Sequence, residues 1–201
     1  MTSLHARLME CGRGDPFDRH VFACAIVAGW AETLTRGLGL APTAVSDLVD
    51  RYFPGAERHL PVDVWGDGAG EDQLEEPDLR RLLLDHRSSG AREEEWLAAI
   101  VARRSLGPNH LWQDLGLFGR DELNRLMDRH FRRLKRLNSG DMKWKKFFYR
   151  QLCERDGVAV CRAPTCDACV DIGLCFGPEA GEPLSVLQRD VLDVRQSRRR
   201  F

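Results

Sequence analysis

Four thiols fall within fifteen residues, at Cys161, Cys166, Cys169 and Cys175, separated by four, two and five residues. Thiolates this close in sequence can converge on one soft metal centre without a large core to bring them together. Pro164 and Gly173 suit the bends of such a loop. The first three cysteines follow the C-x4-C-x2-C spacing of plant-type ferredoxins, whose thiolates hold an iron–sulfur cluster. The fourth comes much sooner than in those proteins, which makes the loop local. Four thiolates also make structural zinc sites, usually as two close knuckles across a longer gap. Here only Cys166 and Cys169 form a knuckle. Disulfides are the third reading of the same spacing.

Two further residues carry chemistry. His110 lies in the run Asn109-His110-Leu111-Trp112-Gln113-Asp114. It could ligate a metal or carry a proton near neutral pH, or simply cap a turn. Cys153 precedes the cysteine-rich loop by seven residues and is either an accessory thiol or a packing residue. The remaining cysteines are Cys11, in a polar lead-in, and Cys24, on an apolar stripe, where a free thiol packs as a small hydrophobe.

These residues must be positioned by the rest of a 201-residue chain that is 43% hydrophobic, enough for a sizeable core. The apolar periodicity is helical throughout. Asp15-Pro16 opens a helix that runs to the Gly37–Gly39 region. Further helices fit 43–53, 77–87, 91–105 and 120–137, and another follows Asp141 with Trp144, Phe147, Phe148 and Leu152 inward. The segment 55–76 reads as a loop, and its acidic residues, including Asp72 and Glu76, as a solvated surface. The expected fold is all-α: a helical bundle-like body with an irregular C-terminal cysteine-rich metal-binding loop. The division is a flexible lead-in at 1–14, a helical body at 15–157, the cysteine-rich loop at 158–180 and a tail at 181–201.

Charge and targeting signals narrow the function classes. Net charge is −1, so no whole-molecule field draws nucleic acid. Residues 120–155 nevertheless hold twelve Lys or Arg against five Asp or Glu, a local excess suited to an oxyanion or an acidic partner. No signal-peptide pattern and no membrane-length apolar run occurs, which points to a cytoplasmic protein, where thiols stay reduced. That weakens the disulfide reading. No P-loop, GxGxxG, HExxH or nucleophile-elbow motif occurs, so turnover catalysis is not expected.

The runs Asn109-His110-Leu111-Trp112-Gln113-Asp114-Leu115-Gly116-Leu117 and Met142-Lys143-Trp144-Lys145-Lys146-Phe147-Phe148-Tyr149-Arg150-Gln151-Leu152-Cys153-Glu154, followed by the C-x4-C-x2-C-x5-C loop, resemble the NifQ family of nitrogen-fixation proteins. The resemblance spans about 107–178. It implies a metallochaperone that carries a molybdenum–iron–sulfur cluster and donates molybdenum to biosynthesis of the nitrogenase iron–molybdenum cofactor. By motif position it gives Cys161, Cys166, Cys169 and Cys175 the ligand role, with His110 and Cys153 as possible accessories. It implies as partners the nitrogenase cofactor-assembly scaffold and the nitrogenase iron protein, with no nucleic acid and no membrane. The alternative from a different class is an interaction module with a basic helical surface, stabilised by zinc on the four cysteines.

Overall fold

Asp15 starts the central helix. Its carboxylate accepts the N–H groups of Phe17 at 2.9 Å and Asp18 at 3.1 Å, and Pro16 occupies the first helical position. The resulting α2 (Pro16–Gly29) is apolar around most of its circumference, and eleven of its residues are buried. A helix hydrophobic on all sides must be enclosed by others. The computed structural model that gives this arrangement describes residues 3–30, 32–60, 64–70, 72–157, 169 and 172–183.

The enclosing elements are α1 (Leu4–Cys11), α3 (Leu34–Leu38), α4 (Pro42–Tyr52), α5 (Glu76–Asp85), α6 (Arg92–Ser105), α7 (Leu111–Asp114), α8 (Arg120–His130), α9 (Arg132–Leu137) and α10 (Trp144–Arg155), with α11 (Ile172–Phe176) inside the cysteine-rich segment. A single 3-10 turn at Ala56–Arg58 follows α4. Among the described residues there is no strand, as expected for an all-α chain. Nor is any described helix long and apolar enough to cross a membrane. Phe22, Ile26, Leu48, Ile100, Leu126, Phe131 and Phe148 are all fully buried in one continuous core. Each contributes on the order of 1.5–3 kcal/mol by leaving water.

The helix expected from Asp15 to Gly39 is two helices. After Gly29 the chain turns back, and α3 crosses α2 at a glycine pair. A Cβ on Gly37 would sit 2.7 Å from the Gly29 Cα, so only hydrogen fits at this crossing. The helix expected over 120–137 is also divided. Phe131 leaves helical geometry (φ −136°, ψ 48°) and is fully buried. The α5–α6 connection fills the break: the Ser88 N–H donates to the His130 carbonyl at 3.0 Å, and the Ser88 hydroxyl accepts from the Arg132 N–H at 3.0 Å.

Two other expectations are corrected. The lead-in at 1–14 contains α1, which Ser3 caps and Leu8 anchors in the core. Glu76 is not solvated: it is fully buried, and its carboxylate receives Arg80 at 2.7 Å and Arg103 at 2.8 Å. Burial of one carboxylate between two guanidiniums satisfies the rule that buried charges are paired.

Candidate metal centre

The cysteine-rich segment lies in sequence between α10 and the end of α11, which carries Cys175. Helix α10 is held by its inner face. Trp144, Phe147, Phe148 and Leu152 are buried, and the Trp144 indole donates to the Asn124 Oδ1 at 2.9 Å. The turn before it is fastened by Asn138, whose side chain both donates to the Met142 carbonyl and accepts from the Met142 N–H. Cys153 lies half-buried on α10 next to Leu152. Cys161 and Cys166 lie outside the described residues. Cys169 and Cys175 are half-buried free thiols. The Cys169 carbonyl accepts the Ile172 N–H at 3.2 Å, and Cys175 is carried on α11.

The return is docked at several points. The Lys143 N–H donates to the Cys175 carbonyl at 2.8 Å. Beyond α11 the chain crosses the segment around α7. The Gln113 side chain donates to the Glu182 carbonyl at 2.9 Å, while its oxygen accepts the His110 N–H at 3.2 Å. Glu179 is 4% exposed at its side chain and receives Arg120 Nη1 at 2.8 Å, with His110 Nδ1 at 3.6 Å. His110 thus faces the carboxylate that anchors the return from the cysteine-rich segment.

A second polar knot fixes the same segment from below. Asp114 is 7% exposed. Its carboxylate accepts from Lys145 at 2.5 Å, the Asn109 N–H at 3.2 Å and the Asn109 amide at 2.9 Å. Lys145 also donates to the Gly107 carbonyl at 2.6 Å. Any Cβ at Gly107 would collide with the Asp114 carboxylate. The two sequence runs around α7 and α10 are therefore tied to each other as well as to the returning chain.

This wiring changes the meaning of the basic excess over 120–155. Arg129 pairs with Asp15 at 2.9 Å and Asp18 at 3.0 Å, Arg155 with Asp78 at 2.9 Å, and Lys145 with Asp114. His130 is 7% exposed and sits 2.9 Å from Asp18. Acidic partners distant in sequence neutralise much of the charge. Beside this wiring, Arg36, Arg103, Arg104, Glu32 and Asp114 line an open cleft of about 630 Å³. Two nitrogens of Arg104, Nε and Nη2, are buried there without a hydrogen-bond partner among the described residues.

Comparison with known proteins gives the lineage. The NifQ family pattern matches residues 21–177, a span that takes in all four clustered cysteines. The chain belongs to the NifQ family. It is 40% identical over 176 residues to the Protein NifQ homolog of Sinorhizobium fredii, covering 84% of this chain and 76% of that protein. It is 41% identical over 152 residues to Protein NifQ of Azotobacter vinelandii, covering 71% and 78%. To Protein NifQ of Rhodobacter capsulatus it is 40% identical over 147 residues, covering 73% and 79%. No solved structure matches the chain.

Cys169 and Cys175 are unbridged and partly open to solvent, as thiolates that receive a metal must be. Sequence reading missed the anchors. Glu179 follows Gly177-Pro178 and resembles any exposed acidic residue after a turn; its burial depends on Arg120, which is remote in sequence. Asp114 and Lys145 are likewise an ion pair that no local spacing announces.

Proposed function

We propose that this protein is a metallochaperone that loads molybdenum onto an iron–sulfur unit held by Cys161, Cys166, Cys169 and Cys175. It then donates the metal to biosynthesis of the nitrogenase iron–molybdenum cofactor. The observation that carries the reading is membership of the NifQ family over a span that includes all four thiols. The docked return supports it: α10 and the Glu179 anchor hold both ends of the segment on the body. A donor must bind its cargo reversibly, and thiolates on a locally anchored segment can do so. The partners are the cofactor-assembly scaffold and the nitrogenase iron protein, met in the cytoplasm, and the protein turns over no substrate of its own.

Molybdenum reaches the protein as an oxyanion. The cleft lined by Arg36, Arg103 and Arg104 offers it guanidinium groups. His110 and Cys153 are accessory groups for the metal that the four thiols leave incompletely ligated.

Anaerobic isolation tests the reading. The expected product is a brown protein containing iron and acid-labile sulfide, with molybdenum after loading. Cys169→Ala should abolish cluster retention while preserving helical content. His110→Ala should spare iron and lower molybdenum loading. A colourless protein with one zinc and no sulfide, unfolding on chelation, would instead establish the zinc-stapled interaction module.

A further inference from the structure

A second group of ligand-type side chains includes none of the clustered cysteines: it is built from α1, α2 and α8. His5 on α1 faces His20 on α2, with Nε2 and Nδ1 3.0 Å apart and the rings edge to face at 80°. Cys24 lies one turn further along α2, its Sγ 3.8 Å from His20 Nδ1. One ligand atom from each of the three residues lies within 4.8 Å of the other two. Cys24 is 1% exposed.

Three features point to a metal rather than to packing alone. First, the distances approach a coordination polyhedron. Tetrahedral zinc, with Zn–N near 2.05 Å and Zn–S near 2.3 Å, has N···N edges of about 3.3 Å and N···S edges of about 3.6 Å. The observed 3.0 Å and 3.8 Å lie near two of these edges, and closing the third requires the Cys24 thiol and the His20 ring to turn relative to each other. Second, His20 is already oriented as a ligand. Its Nε2 lies 3.1 Å from Glu122 Oε2, leaving Nδ1 towards His5, while the Cys24 Sγ is almost equally far from both ring nitrogens, 3.8 Å from Nδ1 and 3.7 Å from Nε2. A carboxylate placed so fixes tautomer and ring direction, as in carboxylate–histidine–metal sites. Glu122 is itself held by the Phe118 N–H at 2.8 Å. Third, the thiol is directed unlike its neighbour. Cys11 donates to the Leu8 carbonyl of its own helix, whereas Cys24 contacts the His20 ring nitrogens.

We propose that His5, His20 and Cys24 form a second metal site for a borderline-soft divalent ion of the zinc class, with Glu122 positioning His20. A divalent cation, one thiolate and one carboxylate cancel in charge, which suits a largely enclosed position. Loading releases the Cys24 proton to solvent, and the proton shared between His5 Nε2 and His20 Nδ1 relocates to His5 Nδ1. The fourth coordination position falls to water. Phe118, whose ring lies 5.7 Å from that of His5 and 5.0 Å from that of His20, covers the pair. This site is independent of the cysteine-rich segment.

Cobalt(II) titration of the metal-free full chain is the test. With Cys161, Cys166, Cys169 and Cys175 all changed to Ser, the chain should take up one equivalent, with four-coordinate visible bands and a thiolate-to-cobalt band in the near ultraviolet. Zinc should displace it. Glu122→Gln should weaken binding by about 10–100-fold. Cys24→Ser should remove the thiolate band. Because Cys24 is buried and that variant is at risk of misfolding, His5→Ala in partly exposed α1 provides the second arm. In the otherwise unmodified chain, His5→Ala should bind one equivalent less than the parent. Equal cobalt stoichiometry and affinity with and without His5 would overturn the site, and so would failure of the folded four-serine variant to bind cobalt.

Discussion

Glu179→Gln tests whether the return from the cysteine-rich segment is anchored as an element in its own right. The carboxylate is almost completely covered, and Arg120 Nη1 meets it at 2.8 Å. Glutamine keeps an acceptor there but removes the charge. A hydrogen bond to a charged group contributes about 1.5–3 kcal/mol, a neutral one about 0.5–1.5 kcal/mol, so the loss is about 1 kcal/mol. The figure stays low because Arg120 retains the Asp141 and Met142 carbonyls at 2.8 Å and 3.0 Å. Glu179→Ala also removes the acceptor and should cost about 2–3 kcal/mol. If the segment opens locally, these costs appear as faster exchange of the amides it protects. The Lys143 amide, bonded to the Cys175 carbonyl, is the reporter. Its exchange should rise roughly fivefold in the Gln variant and roughly 30–150-fold in the Ala variant, at about 1.4 kcal/mol per tenfold. Amides of α2 and α6 should keep their rates. Hydrogen exchange read by mass spectrometry separates the regions. Unchanged exchange at Lys143, or equal acceleration in α2, would refute the anchor.

Gly116→Ala should destabilise the fold by at least about 2 kcal/mol, because φ is +74° and a Cβ would lie 2.7 Å from the Cys24 carbonyl oxygen. A urea midpoint within about 0.5 kcal/mol of the parent would show that α2 yields at this contact. Lys145→Met strands the buried Asp114 carboxylate and should cost about 3 kcal/mol, while adding Asp114→Asn should recover part of it. A double-mutant cycle with no coupling would contradict the pairing. Burial pushes the Glu122 carboxyl up, but His20, the Phe118 N–H and the nearby His5 outweigh this and hold it below its ordinary 4.5. Its contribution is therefore complete above that value and is lost as pH falls through the lowered one. Glu122→Gln should flatten this part of a thermal-midpoint profile against pH; an unchanged acid limb would remove the assignment.

Helix starts were legible because their causes are local: Asp15-Pro16 before α2, and Glu93 to Glu95 in the first turn of α6. The breaks after Gly29 and at Phe131 were not, because Gly37 and Ser88 make them from other parts of the chain. The acidic run around Glu76 misled for the same reason. Arg80 is one turn away on α5, but Arg103 comes from α6, and only the pair together makes burial affordable. At the clustered cysteines, type and spacing alone suggest metal binding, and Cys161 and Cys166 lie outside the described residues. His20 and Cys24 had the i, i+4 spacing of a shared helical face, yet nothing in sequence brings His5 to them.

The anchors bear on how a donor can hold and still release a metal. Fourteen residues, 158–171, separate the described end of the α10 turn from the start of α11. Closing a segment of that length costs conformational entropy that grows with the logarithm of its length. When the ends are free, metal–thiolate bonds must offset all of that cost, and binding is coupled to folding. Here Lys143, Gln113 and Arg120 hold the return on the body through contacts that include no metal. Part of the closure cost then falls on the body, and the thiolates need to offset only what is left. On the function proposed above, loss of the cargo need not unfold the site, so the same chain could be reloaded. Weakening Glu179 should shift that balance back onto the metal: the Ala variant should lose iron faster under chelator challenge even though every thiol is intact. Equal iron loss from parent and variant would mean that the anchor and the ligands act independently.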